Sequence, residues 1–277
     1  QRLTSLATMF YLLSIVSYIT WRLKTLGPEY GAGKAEQKHR FPGLKMHSHY
    51  LIALISSIIA MKTKEIAFAL PVIITLYEFM FFQGPIKKRV LPLLPFLLTM
   101  SIIPISLIHT GKPLEDVLSD VSEVTRVQTA LTRSDYLFTE FRVIATYIRL
   151  LFMPVGQNLD YDYPVYHSLL NPEVLLSFLF LVFLFCLGAY LLYRSRLTHN
   201  ASRLTAFGIF WFFITISVES SIIPIADVIF EHRIYLPSVG FFLAITTAPF
   251  AGTSTLGETA RSLKVMPVIL ALIGIVL

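Results

Sequence analysis

Long apolar stretches recur along this sequence and constrain its fold more than any other feature. A helix needs about 20 apolar residues to cross a bilayer, and most of these stretches approach that length. With 55% hydrophobic residues, 14% charged residues and a mean hydropathy of +0.68, the chain has too little polar surface for a soluble domain. The sequence therefore predicts an integral membrane protein. The stretches lie near 3–21, 47–61, 66–83, 90–109, 138–155, 173–193, 204–218, 234–250 and 265–277.

The stretch at 138–155 differs from the others because charges interrupt its apolar pattern. Glu140, Arg142 and Arg149 occur there at helical spacing. Since charges are costly in hydrocarbon, this pattern favours an interfacial or re-entrant amphipathic helix. We therefore predict an all-α polytopic membrane bundle of about eight spans plus this helix, forming one transmembrane domain over 1–277. Because the chain begins without Met and stops within an apolar run, we expect it to be truncated at both ends.

Lys and Arg are distributed unevenly between the two faces that alternating spans create. Basic residues accumulate in cytoplasmic loops, so the richer face is predicted to be cytoplasmic. The net charge of +6 follows from these loops, which predicts anionic membrane lipid, and not nucleic acid, as a partner. The opposite, extracytoplasmic face holds the connection at 62–65, the loop region 110–172 and the stretch 219–233. The cytoplasmic set is Arg22, Lys24, Lys34, Lys38, Arg40, Lys45, Lys87, Lys88, Arg89, Arg194, Arg196, Arg203, Arg261 and Lys264.

Two parts of the extracytoplasmic face carry cations suited to a phosphate. In the short connection MKTKE, Lys62 and Lys64 lie beside Glu65 at the membrane surface. Two ammonium groups there suit a lipid phosphate, although helix-end lysines that snorkel from the membrane would give the same pattern. The first part of the region 110–172, residues 110–140, has apolar residues near helical spacing, which predicts amphipathic helices. Arg133 within it could bind a phosphate bidentately or stay a solvated surface charge.

An acidic aromatic loop, NLDYDYPVY, follows the amphipathic helix. Its Asp160 and Asp162 lie between tyrosines, a combination that suits sugar hydroxyls and rings as well as a rigid turn. Without His at metal-ligand spacing, the loop predicts no metal site. The single Cys186 lies within an apolar stretch and is expected to be a small core residue without a disulfide partner.

The stretch 219–233 carries charges between two apolar runs. Pro224 argues against one continuous helix there. Each charge near mid-membrane costs about 2.5–3.5 kcal/mol, so these groups should pair or line a wet cavity. A purely structural ion-pair cluster that locks helix ends remains an alternative. The charged residues are Glu219, Asp227, Glu231, His232 and Arg233.

Four segments, taken in order, match one known pattern. They are RLTSLATMFYLLSIVSY, TKEIAFALPVIITLYEF, LTRSDYLFTEFRVIATYIRLLFMPVGQNLDYDY and EHRIYLPSVGF. The corresponding pattern is GxxDLLxxLFFLLxxxxY, SKExxxTLPxxLxxYD, a loop ending LTRxxxxxxYLxLLLxPxxLSxDY, and ERxxYLPSxGF. Over almost its whole length the chain resembles the transmembrane and tetratricopeptide-repeat O-mannosyltransferase family and its bacterial relatives, members of the GT-C glycosyltransferase superfamily.

The resemblance implies a GT-C-like fold and an inverting membrane glycosyltransferase. Such an enzyme moves a hexose, mannose in the named family, from a polyprenyl-phosphate carrier to a Ser or Thr hydroxyl of an acceptor protein. The reaction takes place on the extracytoplasmic face of a bacterial inner membrane or of the endoplasmic reticulum. The resemblance also implies that the principal catalytic base, an Asp, lies upstream of residue 1, and that tetratricopeptide repeats follow the last residue.

The matched positions give the chain a predicted set of site residues. Where the family pattern has Arg directly after Glu, this chain has His232 and then Arg233, so the guanidinium is shifted by one residue or replaced. No cofactor is predicted beyond the lipid-linked sugar donor, and no residue pattern supports a divalent cation. The supporting catalytic candidates are Glu65, Glu219 and Glu231; the phosphate-binding candidates are Lys62, Lys64, Arg133, His232 and Arg233; the sugar-binding or acceptor-binding candidates are Asp160, Asp162 and Tyr235.

Three other functions are compatible with parts of this pattern. A ligase or polymerase that acts on a polyprenyl-diphosphate-linked glycan also needs extracytoplasmic Arg, His and carboxylates. A non-catalytic membrane scaffold for tetratricopeptide repeats would use the spans only as an anchor. A transporter is disfavoured because the chain has no obvious pair of matched halves.

Overall fold

The computed structural model describes residues 2–26, 43–108, 131–158, 161–195, 200–220 and 228–251. All regular secondary structure within these ranges is helical, which confirms the all-α prediction. The chain divides into two compact units, residues 1–111 and 112–277. The apolar stretch at 265–277 lies outside the described residues. So does most of the part of the loop region 110–172 that precedes the amphipathic helix, and so do Asp160 and Asp227.

Three helical segments in the described part of the chain are long and apolar enough to cross a membrane. They are Arg2–Thr25, Ile86–Ile105 and Pro172–Ser195, and a shorter apolar helix covers Ala201–Ile216. These segments agree with the prediction of a membrane protein. The larger number of about eight spans, and the GT-C arrangement of these spans, stay predictions.

The first unit begins with two antiparallel helices. The Ser14 hydroxyl in the first helix donates to the Ala53 carbonyl in the second at 2.7 Å, a contact that requires closely spaced backbones. Prolines at 92 and 95 lack the amide hydrogen that an α-helix needs, so the candidate span Ile86–Ile105 consists of short helical pieces. The helices are α1 Arg2–Leu26, α2 Gly43–Thr63, α3 Leu70–Phe81, α4 Ile86–Val90, α5 Leu94–Thr99 and α6 Ile102–Ile108, with 3-10 turns at Glu65–Ala69 and Leu91–Leu93.

The second unit consists of the amphipathic helix and three further helices that share one buried core. Its buried core includes Tyr147, Leu181, Phe212 and Ile229, which come from four different parts of the unit. The helices are α7 Arg133–Phe152, α8 Pro172–Ser195, α9 Asn200–Ile216 and α10 Tyr235–Thr247, with 3-10 turns at Glu231–Ile234 and Ala248–Phe250.

Helices α9 and α10 run antiparallel in very close contact. A Cβ atom added to Gly208 would lie 2.5 Å from the Gly240 carbonyl oxygen, and a Cβ atom added to Gly240 would lie equally close to the Gly208 carbonyl. The Trp211 indole nitrogen donates to the Leu236 carbonyl at 3.0 Å on the same interface. Small residues that permit such an approach are typical of helix pairs in membranes.

The helix predicted at 138–155 begins at Arg133 and ends at Phe152, as α7. It is not among the segments able to span a membrane. Its buried residues recur every three or four positions, which confirms its amphipathic character. They include Tyr136, Glu140, Val143 and Tyr147.

Candidate functional site

Buried charged residues converge in the second unit. Glu140 is fully buried, and Glu219 and Arg233 expose only 8% and 5% of their surface. The three residues come from α7, from the turn after α9, and from the 3-10 turn before α10. Because isolated buried charges are strongly unfavourable, this cluster is the feature of the second unit that most needs an explanation.

The start of α7 fixes the position of Glu140. The Thr132 side chain caps the helix by accepting a hydrogen bond from the Asp135 amide at 3.2 Å. One turn further on, the buried Tyr136 hydroxyl donates to the Glu219 carbonyl oxygen at 3.4 Å. Glu140 follows Tyr136 by four residues and therefore lies on the same helix face. The cap and the tyrosine together direct the Glu140 carboxylate toward the turn that carries Glu219.

A second tyrosine fixes the backbone that leads to Arg233. The Tyr147 hydroxyl donates to the Phe230 carbonyl oxygen at 3.0 Å and accepts from the Phe230 amide at 2.8 Å. The Arg233 Nη1 atom donates to the Val228 carbonyl at 3.1 Å, and its guanidinium lies 5.6 Å from the centre of the Phe230 ring. These contacts hold the Arg233 side chain inside the unit.

Burial dominates the electrostatics of Glu140. Desolvation raises the pKa of its carboxyl from 4.5 to about 7, and the Tyr136 hydroxyl, the Arg233 charge and the Ser220 hydroxyl partly oppose this rise. Among the described residues no donor forms a well-oriented hydrogen bond with either Glu140 oxygen, so the two hydroxyls act from nearby without direct bonds. Glu140 can therefore exchange a proton near neutral pH.

Glu231 joins the acidic aromatic loop to the 3-10 turn. Its Oε1 atom accepts a hydrogen bond from the Tyr161 hydroxyl at 2.5 Å and another from the Asn158 amide at 3.1 Å. Burial and the hydrogen bond to Glu231 raise the pKa of Tyr161. The neighbouring His232 ring lies 5.1 Å from the Phe230 ring, and its side chain is partly exposed. Arg233, and not His232, is thus the buried cation of this motif.

The structure brings together part of the predicted site. Glu219 and Arg233 share the buried cluster. Glu231 and His232 precede Arg233 in the same 3-10 turn, and Tyr235 begins α10. Arg133 and Asp162 are exposed in the same unit. Lys62, Lys64 and Glu65 lie in the first unit. Lys62 is in the last turn of α2, and Lys64 precedes the 3-10 turn that begins at Glu65. Lys62 and Glu65 are exposed, and Lys64 is partly exposed.

Sequence reasoning missed Glu140 as a site residue and used it only to mark an amphipathic helix. The signal that could have identified it is its register, because Glu140 shares a face with the apolar Val143 and Tyr147, whereas Arg149 is exposed.

The expectation that Cys186 is a small core residue was wrong. This residue is exposed on α8, a candidate span that leaves most of its apolar surface uncovered, so a small residue need not lie in a core.

The part of the chain that the structure describes contains no group of three or more His, Cys, Asp or Glu residues arranged to hold a metal ion. Within the described residues, the cluster offers one guanidinium, two carboxylates and neighbouring hydroxyls.

Comparison with known proteins yields no match. No protein-family model, no curated protein and no solved structure matches this chain. The resemblance to the O-mannosyltransferase family accordingly depends on the four ordered segments alone.

Proposed function

We propose that this chain is part of a membrane glycosyltransferase that moves a hexose from a polyprenyl-phosphate carrier to a protein Ser or Thr hydroxyl on the extracytoplasmic face. The observation that carries the proposal is the convergence of Arg233, Glu140 and Glu219 in the second unit. Transfer of a sugar from a phosphate carrier requires a cation beside proton-accepting groups. The cluster also adjoins EHRIYLPSVGF, one of the four segments that carry the family resemblance.

The cation matters because the carrier phosphate gains negative charge as the sugar leaves. A guanidinium fixed in a site of low dielectric stabilises that charge more than it stabilises the ground state. Arg233 is held by the Val228 carbonyl and the Phe230 ring, so its side chain needs little reorganisation. We assign Arg233 as the phosphate-binding residue of the cluster, with His232 beside it as a second donor.

The carboxylates matter because the acceptor hydroxyl must lose a proton. A general base works best when its pKa lies near the working pH. The pKa of Glu140, about 7, meets this condition, and Glu219 lies in the same cluster. In this proposal the upstream Asp implied by the resemblance remains the principal base, and Glu140 balances the charge of Arg233.

The acidic aromatic loop supplies the groups suited to a sugar or an acceptor. Glu231 ties this loop to the cluster through Tyr161 and Asn158. The exposed Asp162, and Tyr235 at the start of α10, are then candidates for contact with sugar hydroxyls. Lys62 and Lys64 lie in the first unit, and we retain them as candidates for contact with a lipid phosphate.

The test is a transfer assay on the natural protein that contains this sequence, purified in detergent. It would be incubated with radiolabelled polyprenyl-phosphate hexose and candidate acceptor proteins, as wild type and as the Arg233→Gln and Glu231→Gln variants. Removing a group that stabilises transition-state charge lowers turnover by about 100-fold or more, so we expect that loss for Arg233→Gln.

The matched control is Arg203→Gln. Arg203 is a partly buried arginine in the first turn of α9, where its Nη2 atom donates to the Ser195 carbonyl at 3.3 Å, at the opposite end of this helix from Glu219. Circular dichroism and size-exclusion chromatography would confirm that each variant is folded. Label on protein that disappears only in the site variants supports the proposal. Label on an extended glycan would indicate the ligase or polymerase, and absence of both transfer and carrier binding would indicate the scaffold.

A further inference from the structure

The first unit contains a second buried charge cluster, which the proposed function does not use. Glu78 in α3 is fully buried, and two arginines approach it, Arg22 from α1 and Arg89 from α4. Among the described residues, two cations and one anion leave an excess of one positive charge in this cluster. Because buried charge that lacks compensation is unfavourable, the excess calls for an additional anion at this end of the unit.

The contacts show which cation has donors to spare. The Arg22 Nε atom lies 3.0 Å from both Glu78 oxygens, and Nη2 lies 2.7 Å from Oε1. The Tyr18 hydroxyl donates to Oε2 at 3.0 Å. A carboxylate has about four lone-pair positions, so Arg22 and Tyr18 fill the acceptor capacity of Glu78.

Arg89 therefore faces a carboxylate that is already saturated. Its Nε atom lies 3.9 Å from Glu78 Oε1, too far for a hydrogen bond, and has no hydrogen-bond partner among the described residues. Its Nη2 atom donates only to the Glu78 backbone carbonyl, at 2.9 Å, and the guanidinium lies 4.4 Å from the centre of the Phe79 ring. With five N–H donors on the guanidinium, Arg89 retains capacity for a further anion.

The surroundings of Arg89 combine basic and apolar surface. Lys87 and Lys88 precede it and are exposed. Phe79, Ile86 and Leu91 expose 48%, 70% and 70% of their surface. The candidate span Ile86–Ile105 begins here, and in a membrane its first residues would lie where the surface meets the hydrocarbon. A ligand that presents an anionic head group together with acyl chains fits both kinds of surface.

We propose that Arg89, Lys87 and Lys88 form a binding site for the phosphate of an anionic phospholipid, with the exposed apolar residues in contact with its acyl chains. The lipid phosphate supplies the charge that the Arg22–Glu78–Arg89 cluster lacks. This site is independent of the proposed transferase activity and lies in the other unit of the chain.

The test measures lipid retention by native mass spectrometry. The protein would be reconstituted in nanodiscs of phosphatidylcholine and phosphatidylglycerol, released, and examined for bound phosphatidylglycerol. Each basic residue near a membrane surface contributes about a fivefold change in affinity for anionic lipid. We expect Arg89→Gln to weaken retention about fivefold and Lys87→Gln/Lys88→Gln about 25-fold. The double variant leaves the Glu78 cluster intact, so its result does not depend on folding of the Arg89 variant.

The control variant is Arg2→Gln, which removes one exposed charge at the start of α1, at the opposite end of the antiparallel α1–α2 pair from Arg22. Its retention of phosphatidylglycerol should match the wild type. Equal retention in the site variants and the control would overturn the proposal. Inorganic phosphate forms a separate arm: if it raises the unfolding temperature of the protein in neutral detergent as much as phosphatidylglycerol does, the ligand is a soluble anion and the lipid assignment is wrong.

Discussion

Replacing Glu140 with Gln should change how the stability of the protein depends on pH. Desolvation raises the pKa of this carboxyl from 4.5 to about 7 in the folded state. In the unfolded chain the carboxyl releases its proton near 4.5, so between these values the folded state binds more protons than the unfolded state. The free energy of unfolding therefore falls as the pH rises through this window.

The magnitude follows from the size of the shift. One pKa unit corresponds to about 1.4 kcal/mol, so the Glu140 carboxyl costs the folded state about 3 kcal/mol at pH 8 relative to pH 4. Glu140→Gln carries no titratable group and lacks this cost. We expect the difference in the free energy of unfolding, variant minus wild type, to rise by about 3 kcal/mol over that range.

The assay is denaturant-induced unfolding in detergent micelles, followed by circular dichroism at several pH values. Asp135→Asn is the control: its stability difference from the wild type should stay nearly constant between about pH 5 and pH 8 and change in the opposite direction only at lower pH. A hydrogen bond from His167 and one from Thr132 lower the pKa of Asp135, so this carboxylate stabilises the folded state above the pKa of the unfolded chain. That contribution is lost as the pH falls through the lowered pKa. A difference between Glu140→Gln and wild type that stays constant across the pH range would refute the argument that burial controls Glu140.

Three further predictions concern packing and buried polar groups. Gly240→Ala should destabilise the second unit by about 1–3 kcal/mol because its new methyl group would meet the Gly208 carbonyl oxygen and the Trp211 side chain of α9. Gly188→Ala meets only side-chain atoms, of Ile209 and Phe210, at longer distances and should cost less. Thermal unfolding of both variants measures the contrast. Glu78→Gln should cost about 3–5 kcal/mol because it leaves a buried arginine without its counter-ion, and a denaturation midpoint equal to that of the wild type would contradict this. Tyr147→Phe removes both hydrogen bonds to the Phe230 backbone and should lower the free energy of unfolding by about 1–3 kcal/mol. If these two hydrogen bonds also position Arg233, the transfer activity should fall together with the stability.

Local patterns of the sequence predicted much of the fold. The length and composition of the apolar stretches predicted helices, and the regular structure of the described residues is helical throughout. The periodic burial of α7 was visible in the spacing of its charges and apolar residues. These features could be predicted because helix formation and amphipathicity depend on residues three or four positions apart.

The sequence also located part of the candidate site. The motif at 231–238 indicated a phosphate-binding side chain directly after Glu231. Because His232 and then Arg233 follow this Glu, the motif left two candidate residues for that role. The tertiary structure distinguishes them, since Arg233 is buried in the cluster and His232 lies at its edge. The outcome depends on how the 3-10 turn is oriented by Tyr147, a contact that no local pattern encodes.

Other features were decided only by tertiary structure. Glu78 was indistinguishable in the sequence from an incidental charge in an apolar segment, and its burial results from Arg22 of another helix. Glu140 is buried because Tyr136 and its neighbours pack against a turn that lies 83 residues away in the chain. The sequence by itself determined which segments are helical and apolar, because those properties arise from near neighbours. The environment of a charged group, and with it the pKa and the chemistry of that group, arises from segments that meet only in the folded chain.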